Sequence, residues 1–452
     1  MEIVIIGDGQ VGHMLAKRLS EENYDIVLID QNSGKIRDDL NEMDISCING
    51  NGVDSAVQKE ANVPNADLVI ACTSTDEQNM ISCLLARKLG AKHTIARVRN
   101  PVYYGEIDMF RDDLHLSMAV NPELTAANEI ARLLLFPEAS KVETFMKGRV
   151  EMVEVTVRSG NPMLGMPLST IYHHLNVKVL VCAVQRNGEI IIPDGNFSMQ
   201  EKDKLYIATA HQNLRAFFKL FGARSLRVKK VLICGCGTMG FYLAGQLLQA
   251  GMQVKIIEQN EERCEELCEL LPKATIIHGD ATDQDTLREE GIESTDALVA
   301  IMNLDEENII LGLFASSLGV NKVIARVDSE ARIQMVEDMG IDSTISPKSA
   351  TADAIMAYVR ARNNSLSSEN VETLYRLVNG KIEAQEFIIK EGSRFAGVSI
   401  GSLKVRENAL IACIGRGRKV IIPNGSDHLE VGDSVIVITK DLSIENFSDI
   451  VL

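Results

Sequence analysis

The sequence predicts an α/β protein in which two tandem, duplicated Rossmann-like parallel-sheet domains are each followed by a small α+β domain. Three observations support this prediction. A glycine-rich turn follows a short apolar strand in each half, matching motifs recur at a nearly constant spacing, and strand-rich patterns end each half. At 452 residues the chain is also too long for a single core. We predict four domains, at residues 1–138, 139–224, 227–363 and 370–452.

The first motif is the stretch VIIGDGQVG, in which an apolar strand runs into a turn that contains Gly7, Gly9 and Gly12. This G-x-G-x-x-G spacing at a strand-to-helix junction is typical of turns that bind dinucleotides. The first glycine permits the tight turn, the second lets a pyrophosphate approach the backbone, and the third lets the helix pack closely on the strand. Phosphates are then expected at the free N–H groups of the helix start.

The next strand, YDIVLID, ends at the acidic residue Asp30. In dinucleotide-binding folds an acidic residue about 20 positions after the glycine turn accepts hydrogen bonds from a ribose hydroxyl, and Asp30 fits this spacing. Because a carboxylate repels a 2′-phosphate, the sequence favours NAD or another adenine nucleotide over NADP. A Rossmann-type turn that binds no ligand is the alternative interpretation.

The chain repeats this pattern in its second half. The stretch VLICGCGTMG at residues 231–240 repeats the strand and the glycine turn, and the following strand ends at Glu258. The shift along the chain from the first turn to the second is identical to the shift from Asp30 to Glu258. Further along, ADLVIACTSTDEQN corresponds to DALVAIMNLDEEN, and Arg97 and Arg326 are separated by the same shift to within one position. A register this constant predicts that the two halves are structural duplicates.

The acidic clusters STDEQN and NLDEEN follow the fourth strand of each half. Ser74 with Glu77, and Asn303 with Glu306, have the spacing of an N-cap residue followed three positions later by an acid. We therefore predict helix starts here rather than metal sites. Thr73 and Ser74 also end their strand at the edge where open parallel sheets bind ligands, which makes them candidates for a pocket lining.

An amphipathic helix with a proline in its first turn is predicted at the end of each sheet, in NPELTAANEIARLLLF and SPKSATADAIMAYVRA. We interpret these helices as bridging elements, with hinge or shear motion near residues 123–135 and 350–361. The segments that follow alternate apolar and polar residues and contain the turn signals NG and RG, which predicts small, mostly antiparallel sheets.

Composition excludes several classes of function. The net charge of −17 and the pI of about 5.0 argue against binding to nucleic acid or to an anionic membrane surface. No apolar run approaches the roughly 18 residues needed to span a bilayer, and no signal peptide is evident, so we expect a cytoplasmic chain.

The nine cysteines lie mostly in apolar runs, as expected of reduced thiols. Cys264 and Cys268 lie one helical turn apart without a second ligand pair, so no metal site is predicted.

The two copies of VIIGDGQVG…VLID…IARV and the strand-rich units that end in IIPDG or IIPNG resemble the RCK (also called KTN) regulators of potassium channels and transporters. The match covers essentially the whole chain. The resemblance implies that each small domain is an RCK C-terminal domain, that the chain has no catalytic residues, and that it is a cytosolic regulatory subunit. It further implies a homo-oligomer, a dimer or tetramer that forms a ring, with NAD/NADH or ATP/ADP bound at the glycine turns.

The implied partner is a TrkH/TrkG-like membrane potassium transporter, which would hold the protein peripherally on the inner face of the cell membrane. In some relatives the C-terminal units bind cyclic di-AMP, and the residues here neither support nor exclude that ligand. An acidic ring also suits a partner whose cytoplasmic loops carry excess Lys and Arg.

Carried over by position, the resemblance implies phosphate contacts at the turn, ribose contacts at Asp30, and adenine near Asn51 and Gly52. The predicted cofactor-binding residues of the first half are Gly7, Asp8, Gly9, Gln10, Val11, Gly12, Asp30, Asn51, Gly52, Thr73, Arg97 and Arg99. Those of the second half are Gly235, Gly237, Thr238, Met239, Gly240, Glu258, Asp280, Ala281, Asn303 and Arg326.

The two predicted sites differ in two ways. Asn51 stands where such regulators often have aspartate, as Asp280 does in the second half, and Arg99 of the first half corresponds to Asp328. Replacing a cation by an anion beside a polyphosphate costs a few kcal/mol if both groups face the ligand. Our hypothesis is that the sites prefer different ligands, the first tolerating more negative charge. Titration of ATP and NADH into Asp30→Ala and Glu258→Ala variants tests it.

An NAD-dependent oxidoreductase is the main alternative function. Such an enzyme needs a proton donor or acceptor held close to the nicotinamide. The segments between the predicted sheets offer no obvious acid–base pair, and the second Rossmann copy would be unexplained. A nucleotide-responsive transcription factor is disfavoured because the chain is acidic and lacks a basic helix-turn-helix.

Overall fold

The computed structural model describes residues 1–34, 43–146, 148–174, 177–221, 227–339, 341, 343–367, 371–377, 382–440, 444 and 446–451. The chain forms two compact units. The first comprises Met1–Ile130, Val231–Leu318 and Ile324–Met356, and the second comprises Ala131–Lys230, Gly319–Val323 and Ala357–Leu452. The four predicted domains follow the duplication of the sequence, whereas each of these two units combines segments of both halves. The predicted domain boundaries therefore stay predictions.

The first half opens with a six-stranded parallel sheet in the order β3-β2-β1-β4-β5-β6. This is the strand order of a doubly wound dinucleotide-binding fold, with the order reversing between β1 and β4. The strands are β1 (Glu2–Ile6), β2 (Asp25–Asp30), β3 (Ser46–Asn49), β4 (Leu68–Ala71), β5 (His93–Arg97) and β6 (Met118–Val120). The helices are α1 (Gln10–Glu21), α2 (Ser55–Glu60), α3 (Asp76–Leu89), α4 (Pro101–Gly105), α5 (Ile107–Phe110) and α6 (Pro122–Leu135).

The first small sheet follows, and its strand pairs are antiparallel. Its order is β10-β9-β11-β8-β7. The strands are β7 (Lys141–Phe145), β8 (Val150–Thr156), β9 (Val179–Arg186), β10 (Glu189–Ile191) and β11 (Lys204–Ala210), and the helices are α7 (Leu168–His174) and α8 (Leu214–Leu220).

The second half repeats both architectures. Its parallel sheet has the order β14-β13-β12-β15-β16-β17, and its antiparallel sheet has the order β18-β19-β22-β20-β21. The parallel strands are β12 (Lys230–Cys234), β13 (Gln253–Glu258), β14 (Thr275–His278), β15 (Ala297–Ala300), β16 (Lys322–Arg326) and β17 (Ser343–Ile345). Their helices are α9 (Thr238–Gln249), α10 (Glu261–Leu270), α11 (Gln284–Glu289), α12 (Asp305–Ser317), α13 (Glu330–Asp338) and α14 (Pro347–Ser367). The remaining strands are β18 (Val371–Leu377), β19 (Ile382–Ile388), β20 (Ala409–Arg416), β21 (Lys419–Ile421) and β22 (Ser434–Thr439). The predicted fold class is confirmed.

The central strands of the parallel sheets are fully buried, which explains their unbroken apolar runs. Val4, Ile5, Leu232 and Ile233 are at most 2% exposed. Strands covered by helices on both faces need apolar side chains on both faces, so they do not alternate.

The two small sheets share one apolar core in the second unit. Side chains of the first sheet and of the second sheet belong to the same buried cluster, which includes Phe145, Met152, Cys182, Ala384, Cys413 and Ile438. The inner faces of the two sheets therefore pack on each other and bury each other's apolar side chains.

The helices at the ends of the parallel sheets bridge the two halves within the first unit, as predicted. In α6, Asn128 Oδ1 accepts a hydrogen bond of 2.7 Å from Gln246 Nε2 of α9. In α14, Asp353 forms an ion pair of 2.7 Å with Arg18 of α1. Each bridging helix thus contacts the helix that begins at the other half's glycine turn.

The predicted caps at Ser74 and Asn303 are wrong, although helices do start in both clusters. The N-cap of α3 is Thr75, whose side chain accepts from Gln78 N, and the N-cap of α12 is Leu304, which makes no side-chain cap. The first residue of each helix, Asp76 in α3 and Asp305 in α12, fixes where the helix begins. Its carboxylate accepts hydrogen bonds from backbone N–H groups in the loop after the fifth strand of the same parallel sheet.

Thiol accessibility provides a test of this burial. Removal from water raises the pKa of Cys72, Cys182, Cys234 and Cys236 to about 12, whereas Cys268 is exposed. We expect iodoacetamide at pH 8 to modify Cys268 first in the native protein, and these four buried thiols only after unfolding. Peptide mass spectrometry at successive times measures this order, and early labelling of Cys72 would contradict it.

None of the helices within the described residues is both long and apolar enough to cross a membrane.

Candidate functional site

Two glycines of the first turn are required by the fold itself. Gly7 has φ +102°, and a Cβ added there would lie 2.8 Å from Thr73 N. A Cβ added at Gly12 would overlap the carbonyl oxygen of Gly7. The strand-to-helix turn therefore closes only with glycine at these two positions, as the spacing predicts.

The middle glycine of each turn is different, because the protein does not need it. Gly9 has an ordinary φ of −79°, and the nearest atom to an added Cβ is Cys72 O at 3.9 Å. Gly237 has a φ of −69°, and an added Cβ would meet nothing within 4 Å. A side chain at either position would occupy open space above the turn. Glycine at both positions thus keeps that space free for a group that approaches the backbone closely.

An acidic side chain at the end of the second strand ties each turn to the sheet. Asp30 Oδ2 accepts a hydrogen bond of 2.7 Å from Asp8 N, and Glu258 Oε2 accepts one of 2.7 Å from Cys236 N. Their second oxygens accept from Asn32 N and Asn260 N. A carboxylate offers about four lone-pair sites, so each can still accept a hydroxyl hydrogen bond.

A fully buried asparagine connects the ends of the fourth and fifth strands in each half. Asn79 Oδ1 accepts from Thr73 N at 2.7 Å, and Asn79 Nδ2 donates to Arg97 O at 2.9 Å. Asn308 makes the corresponding bonds to Met302 N and Arg326 O. Sequence reasoning did not single out these residues, although the repeated final Asn of DEQN and DEEN was the available signal.

A cavity of about 570 Å³ lies above the first turn. This volume is within the range of small-molecule sites. Of the twelve residues predicted for the first site, the cavity is lined by all except Gly12, which instead packs under the turn: Gly7, Asp8, Gly9, Gln10, Val11, Asp30, Asn51, Gly52, Thr73, Arg97 and Arg99. The geometry thus brings the predicted residues together, and their role in binding stays a prediction.

The second half also contributes to this cavity, which the sequence did not predict. Arg326, Asp328, Pro347 and Lys348 all line it. Arg326 was predicted at the second turn, and Asp328 was expected to make the second site less cationic. Both residues lie on the wall of the first cavity, because the parallel sheets of the two halves meet in one compact unit. Their place at the second turn stays a prediction. A residue's half in the sequence therefore does not decide which site it serves.

Charged side chains on the cavity wall form two ion pairs. Arg99 Nε lies 2.6 Å from Glu123 Oε1, and Arg326 Nη2 lies 2.8 Å from Asp328 Oδ2. Arg97 donates to the carbonyl of Thr73, while its Nε is buried and has no hydrogen-bond partner among the described residues. Burial lowers the pKa of Arg97, which marks the cost of holding this guanidinium out of water.

Three helix N-termini lie around this one cavity. Gln10 begins α1, Pro122 begins α6 and Pro347 begins α14, and all three line the cavity. These helices have 12, 14 and 21 residues, so each carries a partial positive charge at its start. In α6 and α14 part of the first turn is already capped, because Leu124 N donates to Asn121 Oδ1 and Ser349 N donates to Ser346 Oγ. The arrangement favours an anionic ligand such as a phosphate.

The second turn carries a cation that the sequence prediction missed. Arg263 of α10 donates from Nε to Cys236 O at 3.0 Å and from Nη2 to Gly237 O at 3.4 Å. Its position shortly after Glu258 was the available signal. The binding roles predicted for this half all stay predictions: Gly235, Gly237, Thr238, Met239, Gly240, Glu258, Asp280, Ala281, Asn303 and Arg326.

Known families and structures match this architecture over most of the chain. The TrkA-N domain model matches residues 3–122 and 231–347, and the TrkA-C domain model matches residues 152–222 and 384–452. A Trk system potassium uptake protein TrkA homolog of Archaeoglobus fulgidus is 33% identical over 450 residues, covering 100% of both chains. The Trk system potassium uptake protein TrkA of Halomonas elongata is 33% identical, covering 98% of this chain and 96% of its own.

Among solved structures, the GsuK channel has a TM-score of 0.65 at 20% identity, covering 97% of this chain and 76% of its own. The GsuK channel bound to NAD has a TM-score of 0.64 at 20% identity, covering 99% and 78%. These structures share the fold. The resemblance to RCK regulators is confirmed by the full-length relatives and by both domain models. The chain therefore belongs to the TrkA family, as a tandem duplication of its TrkA-N and TrkA-C domains.

Proposed function

We propose that this protein is a regulatory subunit that gates a membrane potassium transporter by binding adenine nucleotides at its glycine turns. The full-length relatives are named for Trk potassium uptake, which supports the transport role. The ligands are NAD/NADH or ATP/ADP, in line with a GsuK channel structure described as bound to NAD and another described as bound to ADP. The partner is a TrkH/TrkG-like transporter, contacted from the cytoplasmic side by a homo-oligomer.

One observation carries the nucleotide proposal. Gly9 and Gly237 have ordinary backbone angles, and a Cβ at either position would meet no protein atom closer than 3.9 Å. Neither the turn nor the packing requires glycine there, whereas a pyrophosphate resting on the backbone does. The three helix N-termini around the first cavity supply the complementary charge.

Coupling to a transporter requires that the ligand bind two conformations unequally. A ligand in the first cavity would contact residues of both halves, since Gly9 and Arg97 come from the first and Lys348 from the second. Its binding then favours the arrangement in which the two halves together complete the site. The bridging helices α6 and α14 carry this preference away from the site.

A titration of the purified chain tests the proposal. We expect ATP, ADP, NAD or NADH to bind, and Gly9→Ala to weaken that binding at the first site at least tenfold, because its methyl group fills the space of the phosphates. Asp30→Ala should weaken it as well through the loss of the ribose contact. Isothermal titration calorimetry measures each affinity.

The matched control is Gly245→Ala, which lies within α9 with no atom within 4 Å of the added Cβ. It should leave nucleotide affinity unchanged and stabilise the helix by about 0.5–1 kcal/mol. Wild-type protein that binds none of the four nucleotides would refute the proposal. Steady turnover at 340 nm with a panel of oxidisable substrates would instead favour the NAD-dependent oxidoreductase.

A further inference from the structure

We infer that the α1–α14 contact, held by Arg18 and Asp353, loosens as the salt concentration rises, while the equivalent α9–α6 contact, held by Gln246 and Asn128, does not. In a regulator of potassium uptake, the α1–α14 contact responds to the salt that the partner imports. This regulatory use rests on the proposed function. The salt response itself does not, and it is tested without any nucleotide.

The two contacts occupy equivalent positions of the duplicated fold, and all four residues lie in the first unit. Arg18 of α1 and Gln246 of α9 lie equally far beyond the glycine turns that begin their helices. Asp353 of α14 and Asn128 of α6 lie equally far beyond the prolines that begin theirs. Each pair meets at 2.7 Å. The same contact is therefore an ion pair in one place and a pair of amides in the other.

The chemistry of the two pairs decides how each responds to salt. Arg18 and Asp353 carry opposite charges, and the Asp353 side chain is 63% exposed, so ions of the solvent reach the pair. Exposed ion pairs weaken as the ionic strength rises. Asn128 and Gln246 are neutral amides, so their hydrogen bond joins no net charges that salt could screen. Added salt thus weakens the first contact and spares the second.

A further polar contact, one helical turn earlier, differs in the same sense. Met14 Sδ of α1 accepts from Ser349 Oγ of α14 at 3.8 Å, and a thioether sulfur is a weak acceptor. At the position of α9 equivalent to Met14, the hydroxyl oxygen of Tyr242 accepts a hydrogen bond of 3.1 Å from Asn121 Nδ2. The α9–α6 contact is therefore supported by neutral hydrogen bonds at both turns, whereas the α1–α14 contact combines a weak acceptor with an ion pair.

The salt-sensitive contact lies on the helix that carries part of the wall of the first cavity. Pro347 and Lys348, at the start of α14, line this cavity together with Gln10, at the start of α1. Loosening the ion pair lets α14 slide along α1 while each helix keeps its own backbone hydrogen bonds, which is a shear movement. Because α6 stays attached to α9 at the same salt concentration, the movement affects one side of the first unit only.

Hydrogen exchange of the full chain, measured by mass spectrometry without nucleotide, tests the inference. Peptides from residues 347–356 of α14 and 122–130 of α6 are compared in about 0.05 M and about 0.5 M KCl at one pH. We expect exchange in the α14 peptides to rise about two- to fivefold relative to the α6 peptides, which is the range that loss of an exposed ion pair gives. NaCl should act like KCl, because screening depends on ionic strength.

Two double variants exchange the chemistry of the contacts. Arg18→Gln with Asp353→Asn copies the amide pair and should abolish the salt response of the α14 peptides. Asn128→Asp with Gln246→Arg copies the ion pair and should give the α6 peptides a salt response of their own. Since each variant only reproduces side chains that the duplicated fold already holds at the equivalent positions, both are expected to fold.

The control variant is Lys255→Gln with Glu290→Gln, which removes an ion pair of 2.8 Å within the second half and should leave the α14 response unchanged. An α14 response no larger than that of α6 in the parent protein overturns the inference. So does a response that survives Arg18→Gln with Asp353→Asn, or one seen with KCl and not with NaCl, because a bound cation would then be responsible. These outcomes leave the proposed function intact, since nucleotide titration tests that separately.

Discussion

Gly12→Ala is expected to destabilise the first parallel sheet by about 3 kcal/mol or more, whereas Gly240→Ala should cost about 1 kcal/mol or less. The added methyl group at Gly12 would overlap the carbonyl oxygen of Gly7, which is backbone and cannot rotate away. At Gly240 the same methyl group would lie 3.1 Å from Gly235 O and 3.0 Å from Cys236 Sγ, and the thiol can shift. Alanine's better helix propensity then offsets much of the strain.

Hydrogen exchange measured by mass spectrometry follows the two substitutions separately, because it reports the opening of individual segments. Peptides covering β1 and α1 should lose protection in Gly12→Ala, and peptides covering β12 and α9 should keep most of theirs in Gly240→Ala. Gly9→Ala is the matched control within the same turn, since its added Cβ meets no protein atom closer than 3.9 Å and should leave this protection unchanged. Equal loss of protection in Gly12→Ala and Gly240→Ala would contradict the prediction, because it would mean that both turns tolerate an added methyl group equally poorly.

Asn79→Ala is expected to cost about 2–4 kcal/mol of stability in the first unit, because the substitution removes a buried amide that bonds two backbone groups. The side chain is fully buried, and its removal leaves Thr73 N–H and the carbonyl of Arg97 without their partner. Each buried polar group left unsatisfied costs about 1–3 kcal/mol. Since Thr73 and Arg97 both line the cavity, the same substitution should also weaken nucleotide binding.

Urea unfolding followed by circular dichroism measures the stability, and titration measures the affinity. Lys88→Ala, at an exposed position of the same helix, is the control and should change neither. Asn308→Ala, which removes the same bonds in the second half, should cost a similar free energy while sparing the geometry of Thr73. A loss of stability well below this range in Asn79→Ala would contradict the prediction. It would mean that water replaces the amide and that other contacts hold the ends of β4 and β5 together.

Local features of the sequence predicted eleven of the residues that line the first cavity. The glycine spacing, the acid at Asp30 and the alternation of strands and helices each depend on neighbours in sequence, and the structure gathers the corresponding residues around one cavity. The N-caps of α3 and α12 lie one residue later than the sequence predicted, at Thr75 and Leu304. Sequence pattern offered a cap at Ser74, while the actual start is set by Asp76, whose carboxylate must reach the loop after β5.

The contribution of the second half could not be predicted in this way. Lys348 and Asp328 reach the first cavity only because α14 contacts α1 and the two parallel sheets share one unit. Such packing depends on surfaces that form after each sheet has folded, and no periodicity within the chain encodes it. The register of Arg326 predicted a place at the second turn, and it gave no sign that this residue also lines the first cavity. Asn79 was overlooked because a polar residue in a helical pattern usually faces solvent.

The shared core of the two small sheets has a consequence for how this chain could have arisen. A single half would expose the inner face of its sheet, and the natural cover for that face is an identical half, in a symmetric dimer. In such a dimer every substitution occurs twice, so an arginine on one side cannot be matched by an aspartate on the other. Joining the halves into one polypeptide removes that restriction. Arg99 and Glu123 could then keep one arrangement of charge while Asp328 and Lys348 acquired the opposite one, which allows one ancestral surface to evolve into two unlike sites.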